Sequence, residues 1–429
     1  MKNSLVWFRN DLRISDNSVL TGVCADSDKV IAVYCFDPRQ YATGDFGFVK
    51  TGKYRAKFLI ETVTDLKIQL SRLNIPLFIS LSRPEDYIPG LIEAHDIKRI
   101  HFQEEWTRDE KNVEDQLRRA IPETVEIFRQ FDQFLFHPKD IPFENLSQIP
   151  EVFTAFRKKL EKYAEVRRVI GTPKALPKEN LIENRSELPS LTDLGHDDFS
   201  SDSRSAFPFQ GGETAGLKRI DDYIWESENI SKYKETRNGL VGKDYSSKFS
   251  AWLANGSLSA RMIYWAVRKF EKERIKNSST YWMIFELIWR DFFKYVSLKH
   301  GDSIFHLGGI LNKDYHWKND RAILQNWIHG KTEYDFVNAN MKELAATGWM
   351  SNRGRQNVAS YWAKEKEQDW RVGASYFESM LVDYDVHSNW GNWMYNAGVG
   401  NDPRDRKFNI QRQAEMYDKE GSFRKLWNR

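Results

Sequence analysis

Over the first 130 residues, short runs of β-branched and apolar residues alternate with stretches whose apolar positions recur every three to four residues. Residues 4–8, 30–36, 76–81, 99–102 and 125–128 read as strands, each bounded by polar or turn residues. Between the second and third lies 54–73, where Phe58, Leu59, Val63, Leu66 and Leu70 fall at helical spacing. Alternation of this kind predicts a parallel sheet covered by helices on both faces. Ligands of such sheets gather beyond the carboxyl ends of the strands. No GxGxxG follows the first strand and no GxxxxGK(S/T) occurs, so a nicotinamide dehydrogenase and a P-loop NTPase lose their usual support.

From 133 to about 209 the periodicity weakens. Prolines at 138, 142, 150, 173, 177, 189 and 208, and a Ser/Asp-rich run at 197–205, predict a long surface connector. One helix, over 152–163, is expected to interrupt it. After Gly211 the β-branched runs vanish and helical patterns follow one another. Thirteen of the fifteen tryptophans lie at or after Trp225. The expected organisation is an α/β domain over 1–132, a linker over 133–210 and an all-α domain over 211–429.

Composition narrows the class. Of 429 residues, 41% are hydrophobic and 29% charged, which is a soluble, globular balance. No apolar run approaches the ~18 residues that a membrane span needs. The opening MKNSLVWFRNDLR passes straight into a strand, so no targeting peptide is expected and the cytoplasm is the expected compartment. Cys24 and Cys35 are the two cysteines, and no Cys/His cluster has metal-ligand spacing. Neither a disulfide framework nor a bound metal is expected. A net charge of +3 leaves a nucleic-acid partner open.

Four segments of the helical half carry candidate chemistry. In DYSSKFSAWLANGSLS (244–259), the hydroxyls of Ser246, Ser247 and Ser250, with Lys248 and Arg237, suit an anion such as a diphosphate; an ordinary helix cap with a solvated basic face is the competing reading. In YWMIFELIWRDFF (281–293), Glu286 and Arg290 are i,i+4 and so can pair, with Trp282 and Trp289 on the same face as the carboxylate. That carboxylate is either a raised-pKa acid or a neutralised partner in a core helix. In TGWMSNRGRQNVAS (347–360), Asn352, Arg353, Arg355 and Gln356 offer planar polar groups suited to a ring edge or a carboxylate. In LVDYDVHSNWGNWMYNAGVGNDPR (381–404), Asp383, Asp385 and Asn389 converge beside Trp390 and Trp393. A metal is conceivable for the DxD, but hydrogen bonding to a ligand ring is preferred.

These four motifs, in this order and spacing, resemble the flavin-binding domain of the photolyase/cryptochrome family, and VWFRNDLRISDN resembles that family's first strand and loop. The resemblance covers nearly the whole chain. FGFVKTGKYRAKFLIETVTDL, YKETRNGL, NANMKELAATGWMSNRGRQNVASYW and SNWGNWMYNAGVGNDPRD are most similar to the DASH cryptochromes, the single-strand-specific branch. Photolyases of duplex DNA typically carry a methionine where Gln356 stands and a tryptophan where Tyr395 stands.

The resemblance implies a Rossmann-like, five-stranded parallel antenna domain, a linker and an all-α domain holding FAD. Tyr233, Arg237, Ser246, Ser247, Lys248, Phe249, Ser250 and Arg290 would hold the diphosphate and ribityl chain. Arg355 would pair with Asp383 beside the isoalloxazine, Asp385 would accept from its N3–H, and Asn389 would face N5. Glu286 and Asn352 would hydrogen-bond a pyrimidine dimer, with Gln356, Trp289 and Tyr395 lining its pocket. Trp317, Trp370 and Trp393 fall where the family places its electron-transfer triad. Glu105 falls where related DASH proteins bind a methenyltetrahydrofolate antenna.

The implied activity is light-driven repair of cyclobutane pyrimidine dimers, preferentially in single-stranded or looped DNA, by electron transfer from excited FADH⁻. A monomer is expected, with single-stranded DNA, and RNA as a further candidate, as partner. The alternative is a blue-light photoreceptor that regulates expression with little repair. A flavin-independent single-strand binder using aromatic platforms is a second alternative.

Overall fold

The computed structural model describes residues 2–429. Among them, β1 (Asn3–Trp7), β2 (Lys29–Cys35), β3 (Leu77–Ser80), β4 (Arg99–Gln103) and β5 (Glu126–Gln130) form a parallel sheet in the order β3-β2-β1-β4-β5. Each expected strand is found within two residues of its place. Leu5 stands opposite Ile31 on one side and Ile100 on the other. Side chains alternate between the faces of a strand, so each β-branched run feeds two cores. Val6, Val30, Ala32 and Tyr34 pack under α1 (Ser18–Asp26) and α2 (Lys53–Arg72). Leu5, Trp7, Ile31 and Val33 pack against α3 (Pro84–Ala94) and α4 (Arg108–Ala120).

Between β5 and residue 213, α5 (Phe153–Tyr163) is the one long helix. It buries Phe153, Phe156 and Leu160 at i, i+3 and i+7. The helical half follows, with α6 (Glu213–Ile220), α7 (Tyr233–Thr236), α8 (Ser250–Ala254), α9 (Ala260–Glu273) and α10 (Ser278–His300). After these come α11 (Arg321–Ile328), α12 (Asp335–Thr347), α13 (Asn352–Ser360), α14 (Trp370–Met380), α15 (Val386–Ala397), α16 (Ile410–Tyr417) and α17 (Ser422–Trp427). The central α10 starts in a reciprocal cap: Asn277 accepts from the Thr280 amide, and the Thr280 hydroxyl accepts from the Asn277 amide. The fold is the expected one, an α/β unit followed by an all-α unit.

Buried charge joins the two units. Arg13, in the loop after β1, pairs with Asp132 at 2.9 Å. Arg261 of α9 reaches the other Asp132 oxygen at 2.7 Å and Asp16 at 2.9 Å. All four side chains are at most 4% exposed. Glu213 of α6 accepts from the amides of Ile14 and Ser15 at 2.7 and 3.0 Å. At Gly256 (φ +71°) a side chain would strike the carbonyl of Asn10, so the two backbones touch there.

Removing one member of a buried charge network leaves its partners unpaired, a cost of about 3–5 kcal/mol. Asp132→Asn is therefore expected to lower stability to urea by that order, since two arginines lose their carboxylate. A loss under ~1 kcal/mol, the size of an exposed pair, would contradict the account.

Candidate functional site

Two motifs face each other across a cavity of about 510 Å³. One is the start of α13, where Ser351 caps the helix by accepting from the Gly354 amide. The other is the turn into α15, where Asp385 caps by accepting from the Ser388 amide at 2.8 Å. Asn352, Arg355, Gln356, Asp383, Asp385, Ser388, Asn389 and Asn392 make the polar lining; Ala359, Phe377, Leu381 and Trp393 make the apolar lining.

Arg355 donates through one nitrogen to both Asp383 oxygens, at 2.8 and 3.0 Å, and its Nε is tied to the Met350 carbonyl. Burial alone would raise the Asp385 carboxyl, but Lys294, His387, Arg290 and the Ser388 amide hold it well below the usual carboxylate range. Lys294 lies 3.2 Å from it. Burial pushes that ammonium down to about 8, with Asp385 opposing, so the pair is ionic at neutral pH. The Asn389 amide donates to the Ala374 carbonyl at 3.0 Å, leaving Oδ1 as its uncommitted acceptor.

The SSKFS segment is held from behind. Arg219 of α6, a residue no motif had suggested, donates to the carbonyls of Ser247 at 3.0 Å and Ser246 at 3.3 Å. It is anchored in turn by Asp222 and Asp244. The hydroxyls of Ser246, Ser247 and Ser250 have no hydrogen bond to another described side chain. Phe249 is buried, as is Tyr233 on α7. Lys248 takes a left-handed backbone (φ +64°) and turns inward, its ammonium 3.2 Å from the Tyr245 ring centroid and 4.7 Å from that of Trp349. Its Nζ is buried without a hydrogen bond, as are both carboxylate oxygens of Glu343 on α12. Burial raises Glu343 to about 8. No sequence signal marked Glu343, because its isolation depends on what packs around it.

The Glu286–Arg290 pair that the spacing allows does not form. Glu286 accepts from Arg237 at 2.7 Å and from the Trp282 indole at 3.1 Å. Arg290 instead reaches the carbonyls of Gln133 and Leu253 at 2.7 and 2.8 Å, since these backbone acceptors lie beside it and would otherwise be unmet. Burial raises the Glu286 carboxyl, against Arg237 and Trp282. Trp289 stacks on Phe153 of α5 at 3.7 Å and meets Tyr395 edge-on at 5.9 Å. The Tyr395 hydroxyl accepts from Arg406 at 3.0 Å, and Gln356 accepts from Arg353 at 2.9 Å. Tyr395, Gln356, Arg353, Asp402 and Arg406 line an adjoining cavity of about 470 Å³. Asn352 lies exposed at the mouth of the first cavity.

Trp393 lines the first cavity, its ring against Gly373, with Phe377 at 5.1 Å and Trp327 at 6.3 Å. Trp370 is fully buried, donates to the Leu307 carbonyl, and meets Trp390 edge-on at 5.7 Å. Trp317 is half-buried, beside Tyr315. None of the three has another of the three among its stacked or edge-on ring partners. Glu105, after β4, is buried; it accepts from Asn10 at 2.9 Å and lies 3.8 Å from Arg9.

Residues 4–178 match the family model described as DNA photolyase, and residues 282–428 match the FAD binding domain of DNA photolyase. Cryptochrome DASH of Gloeobacter violaceus is 48% identical over 99% of this chain and 85% of its own. That of Xenopus laevis is 46% identical over 98% and 81%. The crystal structure of a Synechocystis cryptochrome superimposes with a TM-score of 0.94 at 45% identity, over 99% of this chain and 88% of that one. A class III photolyase from Agrobacterium tumefaciens superimposes at 0.83 with 26% identity, over 100% and 86%. No helix among the described residues is long and apolar enough to cross a membrane.

A Cβ added at Gly373 would lie 2.3 Å from the Trp393 ring. Gly373→Ala is therefore expected to cost about 1–3 kcal/mol and to shift tryptophan emission as the indole is displaced. Unchanged stability and emission would show that Trp393 is not seated there.

Proposed function

The chain belongs to the photolyase/cryptochrome family, and on that footing we propose that it is a light-driven lyase of the DASH kind, splitting cyclobutane pyrimidine dimers in single-stranded or looped DNA. The observation that carries the reading is the cavity itself, lined by the polar side chains of Arg355, Asp383, Asp385 and Asn389 together with the apolar ones of Phe377, Leu381 and Trp393. Such a donor set fits a flat tricycle with a polar edge. The unpartnered hydroxyls of Ser246, Ser247 and Ser250 fit a diphosphate. FAD is thus the cofactor these residues would hold, with Tyr233, Arg237, Lys248, Phe249 and Arg290 as further residues for its chain.

When bound, the flavin supplies the photochemistry, giving an electron when reduced and taking one when oxidised. The protein's part is position and electrostatics. Asp385, held ionised, would accept from a ring N–H. Arg355, fixed by Asp383, offers its remaining donors. Asn389 offers Oδ1. Glu286, whose carboxyl burial raises against Arg237 and Trp282, is the group placed to stabilise charge developing on a dimer carbonyl, the logic of an oxyanion hole. Asn352 and Gln356 supply amides at the mouth; Trp289 and Tyr395 supply aromatic walls. Trp393, Trp370 and Trp317 form an electron route to the surface. Glu105 would hold a methenyltetrahydrofolate antenna in the α/β unit.

Flipping a dimer out of duplex costs a few kcal/mol, less in a single strand. Aromatic stacking returns roughly 1–3 kcal/mol per base. Tyr395 presents less ring area than tryptophan, and Gln356 is a more polar filler than methionine, so the pocket offsets flipping poorly. Single-stranded and looped substrates are therefore expected to bind and be repaired far better than duplex. Gln356→Met with Tyr395→Trp should tighten binding to dimer-containing duplex by roughly tenfold, about 1.4 kcal/mol. Affinity and quantum yield on matched substrates at one salt concentration test this. Equal repair of single strand and duplex by the unaltered protein would overturn it.

A further inference from the structure

A second redox-capable set lies where the cavity meets the α/β unit. Tyr384, between Asp383 and Asp385, lines the cavity and is partly buried. Its hydroxyl accepts from the Trp390 indole N–H at 3.2 Å. Trp390 is buried and in turn meets Trp370 edge-on at 5.7 Å and 79°. The Glu378 carboxyl, at the end of α14, is raised by burial and lowered in part by the Tyr384 hydroxyl. The Arg55 guanidinium of α2 sits 4.5 Å over the Tyr384 ring. Contact follows contact from an indole, through a second indole, to a phenol with a carboxyl at hand.

The chemistry follows from the partners. A phenol gives up an electron more readily than an indole only when its proton has somewhere to go. The Arg55 charge over the ring opposes any positive charge there, so electron loss must be accompanied by proton loss. We propose that Tyr384 is a redox-active tyrosine, with Trp390 as relay and Glu378 as proton acceptor, that draws an oxidising equivalent off Trp370. This branch leaves the outward step to Trp317 aside, and it rests on Trp370 belonging to the electron route proposed above.

The step balances. The oxidant is a tryptophan radical cation at Trp370. One electron passes from Tyr384 through Trp390 and restores neutral indole. The Tyr384 O–H bond breaks, its proton passes to a Glu378 carboxylate oxygen, and a neutral phenoxyl radical remains. Burial raises Glu378 to about 7, with Arg55 and Lys50 of the α/β unit opposing and Glu110 of α4 adding to the rise. Tyr384 is the group facing it from its own side. Glu378 is therefore a carboxylate able to accept above about pH 7 and already protonated below it. The phenoxyl yield should rise with pH through that value.

The test is flash photolysis of the FAD-loaded, oxidised full chain, followed by transient absorption and electron paramagnetic resonance. An indole radical should appear first, then a phenoxyl radical whose spectrum narrows with ring-deuterated tyrosine and whose formation slows in heavy water. Both measurements use the unaltered sequence. Tyr384→Phe and Trp390→Phe should abolish the phenoxyl signal. Glu378→Gln should slow its formation roughly tenfold, about 1.4 kcal/mol of barrier. An indole radical without any phenoxyl, or a phenoxyl surviving in Tyr384→Phe, overturns the proposal and leaves the route through Trp370 standing. Absence of any indole radical overturns both.

Discussion

Four buried charges hold the molecule in register. Arg13 and Asp16 lie in the loop after β1, Asp132 at the start of the connector, and Arg261 in the helical half. Ions taken out of water are tolerated only when paired with good geometry, so this loop has little freedom to sit elsewhere. The same loop carries Arg9 and Asn10 to Glu105, and its backbone touches Gly256, six residues beyond Ser250. From Asp132 the chain runs directly to Gln133, whose carbonyl accepts from Arg290 and whose side chain accepts from Lys294. The packing of the two units and the electrostatics around Asp385 are therefore parts of one network.

The cavity reuses that logic on a smaller scale. Asp385 is at once a helix cap, the partner of Lys294 and a lining carboxylate. The pairing with Lys294 needs it ionised. Arg355 and Asp383 fix each other's orientation before anything binds, which spares a ligand the cost of ordering them. Lys248, within the segment of free hydroxyls, and Glu343, which acts on it, are buried without hydrogen bonds.

Much of this was legible in the sequence, for a physical reason. β-branched runs that feed both faces of a parallel sheet cannot easily be anything else, and their bounds were found within two residues. The motif reading brought Asp383, Asp385 and Asn389 together and the family resemblance added Arg355; physically, caps at Ser351 and Asp385 aim two helix starts at one space. What escaped was tertiary. Glu286 and Arg290 had the right spacing to pair, yet each found a better partner on another element. The inward turn of Lys248 depends on a left-handed backbone and two rings from distant segments. Phe153 stacks on Trp289 from a connector whose weak periodicity gave no hint of contact with that tryptophan. Arg219 is invisible as a motif because it acts on carbonyls, which every residue has.

The central claim is that this cavity turns light into bond cleavage on a pyrimidine dimer. The most direct measurement counts cyclobutane dimers in a single-stranded oligonucleotide mixed with the FAD-loaded, chemically reduced protein, under blue light and in the dark. The account predicts loss of dimers in the light alone, more than one per protein molecule, and none with flavin-free protein. Full flavin occupancy with an unchanged dimer count after illumination would contradict it.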